Sequence, residues 1–222
     1  METSAVLSLL PAPIVAVALY LLLRYKYRNG KFGLVHKTFL LGVAGIIPVY
    51  LIDRMISGLH LDSLHSLNRT LFYAFVLTGG VFELWKFLIL KLFVYPSKQV
   101  NKTIDAIVYS VIIAAGFTTS YSFYALYFAP AYINVGLYAL TIGPVFVSIS
   151  LIMGYFMGRS LDNKFPFIEQ MTGLFIAAVF QGIYRFCLLT SDTLLMYLAA
   201  GGMLLTGISL LVISLREPSG SD

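Results

Sequence analysis

Seven long apolar runs separated by short polar stretches organise this chain. They extend from about Ala5 to Leu23, Thr38 to Ile56, Leu71 to Tyr95, Ile104 to Phe128, Ile133 to Met157, Phe167 to Leu189 and Thr193 to Leu215. A helix crosses the hydrocarbon core of a bilayer with roughly 20 apolar residues, and each run is near that length. Unpaired backbone amides are too costly in hydrocarbon, so a span is either a helix or a strand of a closed barrel. Barrel strands alternate apolar and polar positions over about ten residues, whereas Ile107 to Ala115 is apolar throughout except at Ser110. The pattern predicts an all-α polytopic bundle of about seven transmembrane helices. It forms a single transmembrane domain over residues 1–222, with a short polar tail at 217–222. The expected location is the cell membrane, as a multi-pass protein.

Composition sharpens this picture. Apolar residues make up 59% of the 222 positions and charged residues 11%, against about 25% charged in ordinary soluble domains. That balance excludes a soluble enzyme, a disordered chain and a disulfide scaffold. The net charge of +5 does not point to nucleic acid, because the cations flank the apolar runs. Arg24, Lys26, Arg28, Lys31 and Lys37 lie in the first connection, Lys98 and Lys102 in the third, Arg159 and Lys164 in the fifth, and Arg216 after the last run. In a seven-span chain all of these fall on one side, and the opposite connections carry little beyond Arg54 and Arg69. Excess Lys and Arg mark the cytoplasmic side, so the expected topology has the N-terminus outside and the C-terminus in the cytoplasm. No cation precedes the first run, so it reads as a span rather than a cleaved signal segment. The single cysteine, Cys187, leaves no internal disulfide.

Chemistry is confined to a few polar residues inside the runs, where ionisable groups are expensive and often functional. Glu83 and Lys86 are three apart and share a helix face. They read either as a buried ion pair that fixes packing or as a catalytic carboxylate with a companion cation. Asp105 opens the fourth run, where a carboxylate complements the positive end of the helix dipole. Tyr121 lies in a hydroxyl-rich stretch, Thr118 to Tyr124, suited to interhelical hydrogen bonds. Gln181 and Arg185 share a face in the sixth run, and Arg185 either reaches the outer interface or pairs with a buried carboxylate such as Glu83. Asp105, Tyr121, Gln181 and Arg185 are thus the candidate binding residues of the interior. The histidines, His36, His60 and His65, all fall in connections. A catalytic zinc site usually draws on three protein ligands with histidine prominent, so no metal ligand is assigned. Neither a phosphate-binding glycine loop nor a nucleophile elbow is present.

The third and fourth runs together resemble the PrsW family of intramembrane proteases, part of the wider CAAX-protease-like membrane superfamily. That family carries EExxK in one helix, an aspartate followed by GFAxxEN in the next, and two later histidine motifs. The resemblance covers the frame over about residues 70–190. Phe82-Glu83-Leu84-Trp85-Lys86 corresponds to EExxK, Asp105 to the aspartate and Gly116-Phe117-Thr118 to GFA, while Gly154 to Arg159 resembles the end of the first histidine helix. At the chemistry-bearing positions the chain departs. Phe82 replaces the first glutamate, Tyr121 and Ser122 the Glu-Asn pair, and Phe146 and Gln181 the two histidines, with Arg185 at the polar partner of the second.

The resemblance therefore implies a PrsW-like scaffold whose metal-binding residues are lost, with Glu83 and Lys86 as vestigial catalytic positions and no cofactor. Such a scaffold would bind a membrane partner, such as a transmembrane protein helix, without cleaving it. The alternatives are a divergent active protease using Glu83, which would need zinc, and a small transporter, against which stands the lack of duplicated halves.

Overall fold

The computed structural model describes residues 32–58, 67–97, 99–128, 135–190 and 192–216. All regular structure among them is helical, and six spans are long and apolar enough to cross a membrane. The first apolar run, Ala5 to Leu23, lies outside the described residues, as do His60, His65 and the 217–222 tail.

The second span consists of two helices, α1 (Phe32–Ala44) and α2 (Ile46–Gly58). The sequence pattern predicts one unbroken helix here. Pro48 accounts for the break, because it has no N–H to donate and its ring clashes with the carbonyl four residues back, at Ala44. Gly45 N–H instead donates to the Gly42 carbonyl at 2.9 Å, a tight turn between the halves.

The third span, α3 (Leu67–Val94), also departs from the regular helix expected. Its turns widen to π geometry over Phe72–Gly80 and again over Leu90–Val94, with α-helix over Val81–Ile89 between them. The first widened stretch ends in Gly79-Gly80, which resists winding weakly. Within it Thr78 Oγ1 donates to the Ala74 carbonyl at 2.7 Å, competing with the backbone ladder.

Four further spans follow: α4 (Thr103–Phe128), α5 (Val135–Arg159), α6 (Pro166–Leu189) and α7 (Thr193–Arg216). The centre of the bundle is α4 and α5, whose spans are mostly buried, while α7 is largely exposed along its length. α4 packs between α1 and α5, α6 lies against α3 and α5, and α7 covers α5 and part of α6.

Small residues set the depth of these crossings. A Cβ at Gly116 of α4 would collide with the Phe39 carbonyl oxygen of α1. One at Gly154 of α5 would lie 2.6 Å from the Ile107 Cα of α4. Bare backbones meet at both places, the usual way membrane helices gain dispersion contact without a hydrophobic driving force.

Candidate functional site

The α-helical stretch Val81–Ile89 of α3 turns Phe82, Glu83 and Lys86 into the bundle, where they are 4%, 0% and 2% exposed. Residues three and four apart share a face, and that face meets α4 and α6 and reaches Phe146 of α5. The Lys86 ammonium lies 2.5 Å from Glu83 Oε1. Apart from Lys86, neither carboxylate oxygen has a polar partner among the described residues. The contact is a close ion pair inside the span.

Aromatic rings surround this pair. Lys86 Nζ stands 5.0 Å from the centre of the Phe146 ring and 5.9 Å from that of Phe117. In a desolvated setting such a contact is worth about 2 kcal/mol. Phe82 meets Tyr121 edge-on at 5.0 Å and lies tilted against Phe117 at 5.2 Å and Phe146 at 6.4 Å. Tyr121 and Phe146 are 6.0 Å apart and nearly parallel, with Phe117 at 5.9 and 5.7 Å from them. Four rings from α3, α4 and α5 form one cluster, and three of them occupy the positions at which glutamate, glutamate and histidine were expected. Distant stretches of sequence converge here just as the parts of a metal centre would, but they bring benzene rings and a phenol.

Residues 30–213 match the family model for the PrsW family intramembrane metalloprotease. The chain belongs to the PrsW family. Protease PrsW of Bacillus subtilis is 25% identical over 203 residues, 87% of each chain. Protease PrsW of Halalkalibacterium halodurans is 25% identical over 187 residues, and that of Shouchella clausii 27% over 182, each covering 80% of both chains. No solved structure matches the chain. Membership of the PrsW family and the six described spans make it a multi-pass membrane protein.

The PrsW frame brings some of the remaining candidate residues to the ring cluster and leaves others apart. Tyr121 is part of the cluster. Asp105 sits at the start of α4, where its carboxylate accepts the Asn101 backbone N–H at 3.2 Å. Sixteen residues of helix separate it from Tyr121, about 24 Å along the axis. Gln181 is 2% exposed in α6, and its Oε1 has no hydrogen-bond partner among the described residues. Next to it Gly182 lies against Phe75 of α3, and Gly79 of α3 against the Ala178 carbonyl, so α3 and α6 touch backbone to backbone just above Glu83.

Arg185 is buried rather than extended into the outer interface. Its guanidinium lies over the Tyr73 ring at 5.7 Å. Tyr73 precedes Glu83 by ten residues of α3, and the cation against the Glu83 carboxylate is Lys86, so Arg185 does not serve that carboxylate. Next to it, the Tyr184 and Thr141 hydroxyls bond at 2.7 Å and join α6 to α5.

Sequence reasoning placed Phe117 in the GFA motif without foreseeing its ring contacts. The interhelical hydrogen bonds expected of the stretch from Thr118 are not made by Thr118 or Ser122, which like Ser150 are buried without hydrogen-bond partners among the described residues, while Thr119 and Ser120 bond to carbonyls of their own helix. Only the apolar period of α4 could have signalled Phe117, and that period marks burial, not ring stacking. Among the described residues no three His, Cys, Asp or Glu side chains come together in a way that would hold a metal ion. His36, the one described histidine, is exposed on α1.

Proposed function

We propose that this chain is a PrsW-fold scaffold without the family's metal chemistry, which holds a transmembrane partner helix in the membrane rather than cutting it. The observation that carries the reading is the ring cluster. Phe82, Tyr121 and Phe146 stand where carboxylates and an imidazole are expected, and they offer at most a phenol in place of three ligands. Gln181, at the fourth position, supplies an amide, which zinc sites rarely use. These residues do not fit a zinc ion, so no hydrolytic step is assigned. Glu83 and Lys86 then serve as an internal charge pair locking α3 into the bundle, and Asp105 as the acidic start of α4. The whole chain forms one transmembrane domain. Its cation-rich end faces the cytoplasm and its N-terminus lies outside.

Elemental mass spectrometry of detergent-purified protein tests the loss of metal. The expected result is no stoichiometric transition metal, with Glu83→Ala leaving that result unchanged. About one zinc per chain, lost in Glu83→Ala, would show that ligands come from elsewhere and would restore protease chemistry. A second reading rests on Glu83 Oε2, which has no hydrogen-bond partner among the described residues and would suit a carboxylate acting on water in a divergent active protease. Cleavage of a co-expressed single-span protein that disappears in Glu83→Gln would establish that reading. Intact substrate with both forms supports the scaffold.

A further inference from the structure

The cation-rich end of the bundle carries a polar cavity unrelated to the ring cluster. It measures about 390 Å3 and is lined by Thr103, Arg159, Asp162, Asn163 and Lys164. Three observations make it a built feature. The turn beneath it is fixed, since Ser160 Oγ donates to the Met157 carbonyl at 2.6 Å and Gln170 Nε2 to Ser160 Oγ at 3.2 Å. Asn163 Oδ1 accepts the Phe165 N–H at 3.1 Å, and its amide donates to Glu169 at 2.8 Å. The same Glu169 oxygen approaches Arg159 at only 3.4 Å, which orients the guanidinium and leaves its other donors available.

The cavity lies at the level where the span ends. Arg159 closes α5, Thr103 opens α4 and Pro166 opens α6. Directly beside it stand Phe165, Phe167 and Ile168, 65%, 62% and 61% exposed. Lys91 Nζ lies 5.3 Å from the Phe167 ring centre. A polar hollow carrying Arg159 and Lys164, bordered by exposed apolar side chains at the edge of a span, has the shape of a lipid's own boundary: headgroup at the polar side, acyl chain along the apolar one. Its lining cations are Arg159 and Lys164 and its lining carboxylate is Asp162, while Glu169 beside Arg159 brings the local sum to zero. An anion is therefore drawn by donors rather than by net charge: the free guanidinium donors of Arg159 and the ammonium of Lys164.

We propose that this cavity binds the headgroup of an anionic phospholipid, with Arg159 and Lys164 on the phosphodiester and the acyl chains along Phe165, Phe167 and Ile168. Basic pockets between spans on the cytoplasmic side are suited to such lipids, and arginine takes phosphate oxygens two at a time. The site is independent of the scaffold reading, since none of its residues touches the ring cluster.

The test uses full-length protein in nanodiscs of phosphatidylglycerol or of phosphatidylcholine. Phosphatidylglycerol is expected to raise Tm by several degrees over phosphatidylcholine, and native mass spectra to retain one anionic lipid. Lys164→Gln, which breaks no intramolecular contact of the cavity floor, should abolish most of both effects, and Arg159→Gln should do the same. Arg54→Gln, at the opposite end of the bundle, should leave them intact. Equal stabilisation by both lipids, or an unchanged gain in Lys164→Gln, overturns the proposal. Inorganic phosphate reproducing the gain in phosphatidylcholine discs overturns it too and assigns the cavity to a free anion.

Discussion

Removing one member of the central charge pair is the sharpest test of how this bundle is held. Lys86→Met keeps the side-chain length and the contact with Phe146 and Phe117 but leaves the Glu83 carboxylate alone at 0% exposure. Breaking a buried pair from one side typically costs about 3–5 kcal/mol, because the remaining charge is uncompensated. Glu83→Leu should cost a similar amount by stranding the ammonium, softened by the rings that already face it. The double variant Glu83→Leu/Lys86→Met removes both charges, and replacing a whole buried pair with apolar side chains is often neutral or stabilising. The cycle should therefore show a coupling at least as large as either single loss. Cys187 is 2% exposed and the sole cysteine, so a thiol-reactive fluorophore reports unfolding in detergent directly. If each single variant loses under about 1 kcal/mol, or if the double variant loses the sum of the two, the pair is not the internal lock described above.

Other consequences are as direct. Phe146→Ala empties the middle of the ring cluster and uncovers one face of the Lys86 ammonium, so thermal unfolding should register a loss of about 3–5 kcal/mol. Gly116→Leu forces a side chain into the α1 backbone and should cost about 1–3 kcal/mol or more, while Gly202→Ala, with nothing within 4 Å of the added carbon, should stabilise α7 by about 0.5–1 kcal/mol; a reversed order of the two would contradict the packing described. Grafting ligands onto the three converged ring positions, as Phe82→Glu, Tyr121→Glu and Phe146→His, should create a site that binds about one zinc per chain by elemental mass spectrometry; no uptake would mean that the positions do not converge in the folded protein.

Most of the fold was legible in the hydropathy pattern, since the length of an apolar run is fixed by bilayer thickness and not by fine packing. Six of the seven expected runs are spans in the described residues. The break at Gly45 was less visible, although Pro48 announced it, because proline often sits in membrane helices without ending them. The π stretches of α3 were not legible at all: Thr78 and Gly79-Gly80 permit them, but equivalent residues sit in regular helices elsewhere. At the site, the i, i+3 spacing gave the Glu83–Lys86 pair. That Phe82, Tyr121 and Phe146 share one place in space came from matching motifs, since no periodicity links residues on three separate helices. The two alternatives left open for Arg185 could not be decided for the same reason. Its helix face was evident, but its height relative to α3 depends on the close crossing at Gly79 and Gly182.

The ring cluster and the charge pair make sense only together. A single ring placed among glutamates and histidines would leave the others as buried charges and unpaired imidazoles, each costly in a membrane interior. Three rings placed together replace that set with apolar surface that stacks on itself, each pair adding about 0.5–1.5 kcal/mol beyond burial. One carboxylate tolerates such surroundings if its counter-charge is built in, and here Lys86 lies on the same helix face one turn away. The ammonium in turn needs a partner besides the carboxylate, and the faces of Phe117 and Phe146 supply one that requires no water. The Glu83 charge is thus balanced by Lys86, and the rings hold that ammonium in place. On the proposed reading this is why a glutamate at a family catalytic position can stay in the bundle while the other ligand positions carry rings and an amide, and why its presence alone says little about proteolysis.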